Sequence, residues 1–321
     1  MRRAVLAFVA LVLVVGGAAL LAPWYGWGST AGTNSAFEVK RGASLGSVAR
    51  DLESAGLVSS AGQFRMLARV LGDDAPVQAG RYRLASGQAW AEILARLQKG
   101  EVERFTVTIP EGWPAVLVAE RLNAVPGLKG KAAVPAEGSV LPDTYEYQPG
   151  EERAVLLSRM QAAMTTTLKQ LWPKRTARAV VKTPEEAIVL ASIVEKETGK
   201  ASERRTIAGV YSNRLRIGMK LDADPTVIYP ITQGKPLGRR IRQSELRRDT
   251  GYNTYLKPGL PKGPIANPGR DSIMAVLDPA ETDALFFVAD GSGGHVFAKT
   301  LAEQNANVAR WFAIRRQRGE M

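Results

Sequence analysis

Ala4 to Ala22 is an unbroken stretch of apolar and glycine residues, about 19 long, with no charge and no proline. As a helix rising ~1.5 Å per residue it spans roughly 28 Å, close to the ~30 Å hydrocarbon core of a bilayer. A transmembrane anchor and a cleaved signal peptide both begin this way. The run is longer than a typical signal-peptide apolar region, and Leu20 and Leu21 spoil the small-x-small pattern at its end. Ser29-Thr30-Ala31, a later cleavage candidate, lies further from the run than cleavage usually occurs. The spacing therefore predicts an uncleaved single-pass anchor. Arg2 and Arg3 precede the run and no Lys or Arg follows until Lys40, so the N-terminus is expected inside and the body outside. Trp24, Tyr25 and Trp27 stand where an interfacial aromatic belt would stand.

That topology decides what the charge means. The 321 residues carry a formal charge of +12, which favours an anionic partner. A body outside the cytoplasm makes nucleic acid a poor one and leaves a membrane surface or an acidic polymer. There is no cysteine, which excludes disulfides, thiolate nucleophiles and Cys-ligated zinc. His295 is the single histidine, so a multi-His metal site is impossible and a Ser-His-Asp triad would have to use it. Nothing suggests a metal or an organic cofactor. Carboxylates become the leading candidates for acid–base chemistry.

After the anchor, residues 23–36 turn small and polar, as a tether does. Phe37-Glu38-Val39 alternates like a strand, Gly42 turns, and Ser44 can cap a helix through Val48, Ala49 and Leu52. Helix 61–71, a strand at 80–84 and a helix through Trp90, Ile93, Leu94 and Leu97 follow. Phe105–Ile109, Gly112 and Val116–Leu122 partly repeat the opening. This strand–turn–helix unit resembles the start of a LysM module, a small βααβ fold that binds N-acetylglucosamine polymers. A LysM-like domain with no glycan grip of its own stays open beside it. Glu151 to Trp172 reads as an amphipathic helix stopped by Pro173.

The segment from Thr183 carries the most chemistry. Thr183 as N-cap, Pro184 at the first helical position and Glu186 at the third form a capping-box signature. The helix then runs, apolar almost all round, through Leu190-Ala191-Ser192-Ile193-Val194-Glu195-Lys196-Glu197-Thr198 to Gly199. Glu197 continues the stripe of Leu190, Ile193 and Val194, whereas Glu195 continues that of Ile188, Ala191 and Ser192. The two side chains should point in nearly opposite directions. A Glu on a buried stripe at a helix C-terminus is expected to have a raised pKa, which suits a general acid. The alternative is that both glutamates pair with Arg204, Arg205 or Lys196. His295 is read as a structural, loop-anchoring residue. The stretch from Gly259 to Gly269 is so rich in Gly and Pro that it predicts a shaped loop.

Several separated motifs occur together: Glu137-Gly138 with Leu141-Pro142-Asp143-Thr144-Tyr145, the glutamate helix, Asn213-Arg214-Leu215 with Gly218-Met219, Asp224-Pro225-Thr226-Val227-Ile228-Tyr229, Tyr252-Asn253-Thr254-Tyr255, Gly259-Leu260-Pro261, and Phe286-Phe287-Val288-Ala289-Asp290 with Gly294-His295-Val296-Phe297. In order and spacing, across about residues 37–312, they resemble the YceG/MltG-like endolytic transglycosylases. Departures from the pattern are Gln304 where relatives often carry His, Lys262 for a common Pro and Pro230 for a common Gly.

The resemblance implies a lytic transglycosylase that cuts the β-1,4 bond between N-acetylmuramic acid and N-acetylglucosamine, leaving a 1,6-anhydro end. It implies one catalytic Glu in the Glu195-Lys196-Glu197 motif without choosing between them. The stripe favours Glu197, with Glu195 as second choice or orienting partner. Asn213, Asp224, Tyr252, Asn253, Thr254 and Tyr255 are the expected substrate-positioning residues. The expected architecture is α+β: an anchor (1–22), a linker (23–36), a LysM-like subdomain (37–105), an α+β catalytic domain (106–312) and a basic tail (313–321). The implied setting is the inner (cytoplasmic) membrane with a periplasmic body. There the enzyme would terminate nascent peptidoglycan strands beside the peptidoglycan synthases. A non-catalytic peptidoglycan scaffold and a hydrolytic muramidase using Asp224 as second carboxylate are the rival readings.

Overall fold

In the computed structural model, which describes residues 2–30 and 32–320, the apolar run is a single helix, α1 (Arg2–Tyr25). It is the one helix among the described residues long and apolar enough to cross a membrane, and its apolar stretch is uncovered by protein. Ala31, which ends the alternative cleavage site, and the terminal Met1 and Met321 lie outside the described residues. Trp24 departs from the expected aromatic belt. It is 4% exposed and packs on Phe64, ring centroids 6.5 Å apart, while Tyr25 and Trp27 are exposed and stack on each other at 5.2 Å. Successive residues of a helix differ by ~100°, so Trp24 and Tyr25 face different surroundings. The apolar core that follows takes the indole.

The chain divides into two units, up to Arg104 and from Phe105 onward. In the first, α1 is followed by β1 (Asn34–Val39), α2 (Leu45–Ser54), α3 (Ala61–Leu71), β2 (Gly80–Ala85) and α4 (Trp90–Lys99). Strands β1 and β2 pair antiparallel with Phe37 opposite Tyr82. Two strands alone are marginal in water, and here amphipathic helices cover them. Ser44 and Ser60 cap α2 and α3 by accepting from Ser47 N and Gln63 N. Their apolar faces bury Val48, Leu52, Phe64 and Leu67 against Tyr82, Ile93 and Leu97. Each such side chain contributes ~1.5–3 kcal/mol by leaving water.

The second unit has two layers of core. In one, β3 (Phe105–Thr108) pairs antiparallel with β4 (Thr144–Tyr147), covered by α5 (Ala115–Ala124) and α6 (Arg153–Leu171) around Val107, Leu122, Leu156 and Met160. The other is built around α7 (Pro184–Glu197), in which every residue from Ala187 to Val194 is buried. Helices α8 (Arg204–Arg216), α9 (Asp224–Thr232) and α11 (Arg270–Leu277) pack against it, with the short α10 (Gln243–Leu246) between α9 and α11. The hairpin β5 (Phe286–Ala289)–β6 (His295–Ala298) and α12 (Leu301–Gln317) complete the unit. Helix α12 runs without a break across residue 312, where the basic tail was expected to begin.

The start of α7 forms with one adjustment. Thr183 Oγ1 accepts from Glu186 N at 3.2 Å, as an N-cap should. The Glu186 carboxylate, however, accepts from Lys182 N at 2.6 Å, one residue further back than a capping box places it.

Candidate active site

The last turn of α7 carries Glu195 and Glu197, and a two-residue step turns ~200° around a helix. The tertiary structure puts different neighbours on the two sides.

Glu195 is held by donors. Its side chain is 5% exposed, one oxygen accepts from Gly269 N at 2.8 Å, and the other lies 3.5 Å from Arg204 Nη2. Arg204 also reaches Glu111 at 3.0 Å and Asp271 at 3.8 Å, so one guanidinium serves three carboxylates. Gly269 directly precedes α11, which adds the positive end of a helix dipole beside Glu195. A Cβ on Gly269 would stand 1.9 Å from Glu111 Oε1, so a larger residue there would displace the Glu111 side chain from Arg204. Burial raises the Glu111 carboxyl above its ordinary pKa; Glu195 and Asp271 add to this and Arg204 opposes it. The ion-pair arrangement weighed for both glutamates thus describes Glu195.

Among the described residues Glu197 has no such pairing. Desolvation pushes its pKa up to about 7; a hydrogen bond from Tyr211 works against this, Asp224 adds to it and Arg214 opposes it. The C-terminal end of α7 acts in the same sense as Asp224. Tyr211, 1% exposed on α8, is itself held well above the ordinary phenol range by burial and by Glu197. Arg214 is a nearby cation that also has its Nε on Leu285 O (2.6 Å) and its Nη1 on Leu221 O (2.7 Å) and near Asp222 (3.6 Å). Asp224 opens α9, and Tyr255 OH donates to its Oδ1 at 2.6 Å. A carboxyl with a pKa of about 7 is roughly half protonated at neutral pH, the state a general acid needs.

Of the other expected residues, Asp224 and Tyr255 are brought to Glu197, whereas Asn213, Asn253 and Thr254 brace the backbone. Asn213 donates to Thr282 O (2.8 Å) and Ala284 O (3.1 Å), tying α8 to the chain before β5. Asn253 donates to Leu246 O (2.9 Å) and Arg248 O (3.0 Å). Thr254 Oγ1 accepts from Ala223 N (3.0 Å) and bonds Thr226 Oγ1 (2.9 Å), fixing the start of α9. Tyr252 belongs to an aromatic group with Tyr229 (centroids 4.9 Å apart), and Lys262 Nζ lies 4.8 Å from its ring centroid. Tyr229 in turn hydrogen-bonds Glu137, whose carboxyl burial holds above its ordinary pKa against donors from Ala115, Tyr229 and Gly138.

The Gly/Pro-rich loop is ordered by buried polar groups. Ser192 Oγ accepts from Ile265 N (3.1 Å), and Asn267 accepts from Val140 N (3.0 Å) while donating to Trp113 O (2.9 Å). His295 sits on β6 with Nδ1 2.7 Å from Glu203 Oε2 and its backbone N donating to Glu203 Oε1 at 3.0 Å. Burial alone would raise Glu203; the His295 and Lys200 hydrogen bonds hold it below its ordinary pKa. Gln304 donates to Phe287 O at 3.0 Å. Among the described residues no cluster of three His, Cys, Asp or Glu is placed to hold a metal ion. Sequence reasoning gave no role to Tyr211 or Glu111, weighed Arg204 only as a pairing partner for either glutamate, and took Glu137 only as part of a motif. Tyr211 carried the one available signal: a phenol on the face of α8 that continues Ile207 and Ala208 into the core.

The YceG-like family model matches residues 37–310. An endolytic murein transglycosylase of Bacillus subtilis strain 168 is 26% identical over 312 residues, covering 87% of this chain and 85% of that protein. One from Streptococcus pneumoniae strain D39 is 28% identical over 320 residues; the match covers 84% of this chain but only 57% of the pneumococcal protein. The crystal structure of a YceG-like protein from Listeria monocytogenes superposes with a TM-score of 0.53 at 26% identity, covering 85% of this chain and 98% of that one.

Proposed function

The chain belongs to the YceG-like family, and from that membership and the surroundings of Glu197 we propose that it is a lytic transglycosylase of peptidoglycan. The names of its relatives support the substrate and the enzyme class. The observation that carries the mechanism is the Glu197 carboxyl, pushed up to about 7 beside Tyr211 and Asp224, while Glu195 is tied to Arg204 and Gly269 N.

In this reading Glu197 gives its proton to the glycosidic oxygen between N-acetylmuramic acid and N-acetylglucosamine. As that C–O bond breaks, the muramyl 6-hydroxyl attacks its own anomeric carbon. The hydroxyl proton passes to the Glu197 carboxylate, which restores the acid and leaves a 1,6-anhydro ring. No water enters, so one carboxyl suffices. Asp224 and Tyr255 line the approach and hold sugar hydroxyls. Glu195 orients the end of α7. The remaining expected substrate residues, Asn213, Asn253 and Thr254, act by bracing the loops, and Tyr252 offers an aromatic face to a pyranose ring.

The βααβ order of residues 34–85 supports a LysM-like module that grips the strand. Helix α1 supports anchoring in the cytoplasmic membrane with the chain that follows it on the outer side. Cleavage there would terminate strands as the neighbouring synthases extend them. The proximity of Asp224 favours one second reading, a hydrolytic muramidase.

Mass spectrometry of glycan strands digested by the full chain in detergent micelles separates these. Products lighter than hydrolytic ones by one water, lost in Glu197→Gln and kept in Glu195→Gln, are expected. Reducing ends would point to the muramidase, and absence of cleavage with strand binding intact to a scaffold.

A further inference from the structure

Between α9 and Tyr252 the chain carries Arg239, Arg240, Arg242, Arg247 and Arg248 within ten residues. The one acid among them, Glu245, is already committed. Its bidentate pairing with Arg239 and a hydrogen bond from Arg242 N hold it down to about 2. Asp249, next along, is taken by Lys257 Nζ (2.7 Å) and Gly251 N (3.0 Å). Arg240, Arg242, Arg247 and Arg248 are exposed and form no ion pair among the described residues.

This surface is held in place. Asn253 clamps the carbonyls of Leu246 and Arg248, and its Oδ1 accepts from Tyr255 N at 3.0 Å. Tyr255 in turn donates to Asp224, the residue beside Glu197. One short loop therefore links the unpaired arginines to the proposed sugar-binding groups. A cavity of about 260 Å³, lined among others by Val227, Pro230, Glu245, Arg248 and Asn253, opens between the arginine segment and α9.

The charge on a peptidoglycan strand lies in the carboxylates of its peptide branches, because the lactyl groups that bear those peptides are amide-linked. A guanidinium fork matches a carboxylate in shape as well as sign. We propose that the Arg240–Arg248 surface binds the carboxylates of these stem peptides, so that the enzyme selects peptide-bearing strands over stripped ones. The proposal rests on the reading of this chain as a strand-cutting enzyme, and it adds a preference that the glutamate site does not supply.

The test uses the full chain in neutral detergent micelles, with Glu197→Gln so that strands stay intact. Equilibrium binding is measured to uncrosslinked strands carrying peptides and to the same strands stripped by an amidase, with the lactyl carboxylates this frees capped as methylamides so that the stripped strand is uncharged. Peptides should strengthen binding about five- to tenfold at low salt, an advantage that shrinks at high salt because exposed ion pairs are weak and screened. Replacing Arg240, Arg242, Arg247 and Arg248 by Gln should erase the advantage, and replacing them by Lys should keep part of it. Equal affinity for the two strands, or an advantage that survives the Gln variant, overturns the proposal. Equal affinity together with protection of these arginines on anionic but not neutral nanodiscs also overturns it, in favour of lipid headgroups. Absence of cleavage by the unmutated chain would sink the transglycosylase reading and leave the binding ratio readable.

Discussion

Glu195 and Glu197 stand two residues apart on the same turn of α7, yet the two sides of that turn have different surroundings. On the Glu195 side stand a guanidinium, a backbone N–H and a helix N-terminus. On the Glu197 side burial, a phenol, an aspartate and a helix C-terminus surround the group, and Arg214 nearby gives its Nε and Nη1 to carbonyls. The contrast shows how a protein assigns different duties to identical side chains. Donors that satisfy a carboxylate make it a brace, whereas desolvation without a dedicated cation leaves it holding a proton near neutrality.

The sharpest way to break this comparison is to exchange the losses. Glu197→Gln should lower strand cleavage by roughly 10³-fold, the scale of a lost general acid. Glu195→Gln should instead cost about 1–3 kcal/mol of stability, since Gly269 N and Arg204 lose a charged partner. Cleavage assays beside denaturant titrations of both variants read the two effects; equal losses of rate would mean that the two sides are not distinct.

The pH profile sharpens it next. Glu197 must be protonated to act, so the rate should fall about tenfold per unit as pH rises beyond about 7. Asp224→Asn removes a neighbour that raises this pKa, so the falling limb should shift toward lower pH. An unmoved limb would separate Asp224 from the acid.

Stability carries the same signature with a smaller amplitude. The folded pKa of Glu197 lies above its unfolded value near 4.5, so its contribution is fully present below 4.5 and is lost as pH rises through about 7. Glu197→Gln should therefore gain Tm relative to the unmutated chain between pH 5 and pH 8, by an amount worth about 1–2 kcal/mol. A pH-independent difference between the two melting curves would contradict the buried-acid description. The smallest effect is expected from Tyr255→Phe, which removes one hydrogen bond to Asp224 and should slow cleavage about threefold. A loss as deep as that of Glu197→Gln would give Tyr255 the acid's rank.

Much of this was legible along the chain because it depends on local period and composition. The membrane-length helix followed from an uninterrupted apolar run, and the burial of α7 from apolar residues all round it, for no partner is needed to read either. The divergence of Glu195 and Glu197 followed from helix geometry alone. What the order of residues could not contain was who would stand opposite each face. Trp24 was read as a membrane-interface residue because only the packed core around Phe64 could reveal a competing place for it. Asn213, Asn253 and Thr254 carried groups suited to sugars, but backbone carbonyls and hydroxyls brought near by folding engaged them first. Arg204 and Tyr211, which separate the two glutamates chemically, lie 9 and 14 residues beyond Glu195 and Glu197 and reach them through the packing of α8 on α7. Periodicity is a property of neighbours in the chain, whereas a pKa is a property of neighbours in space.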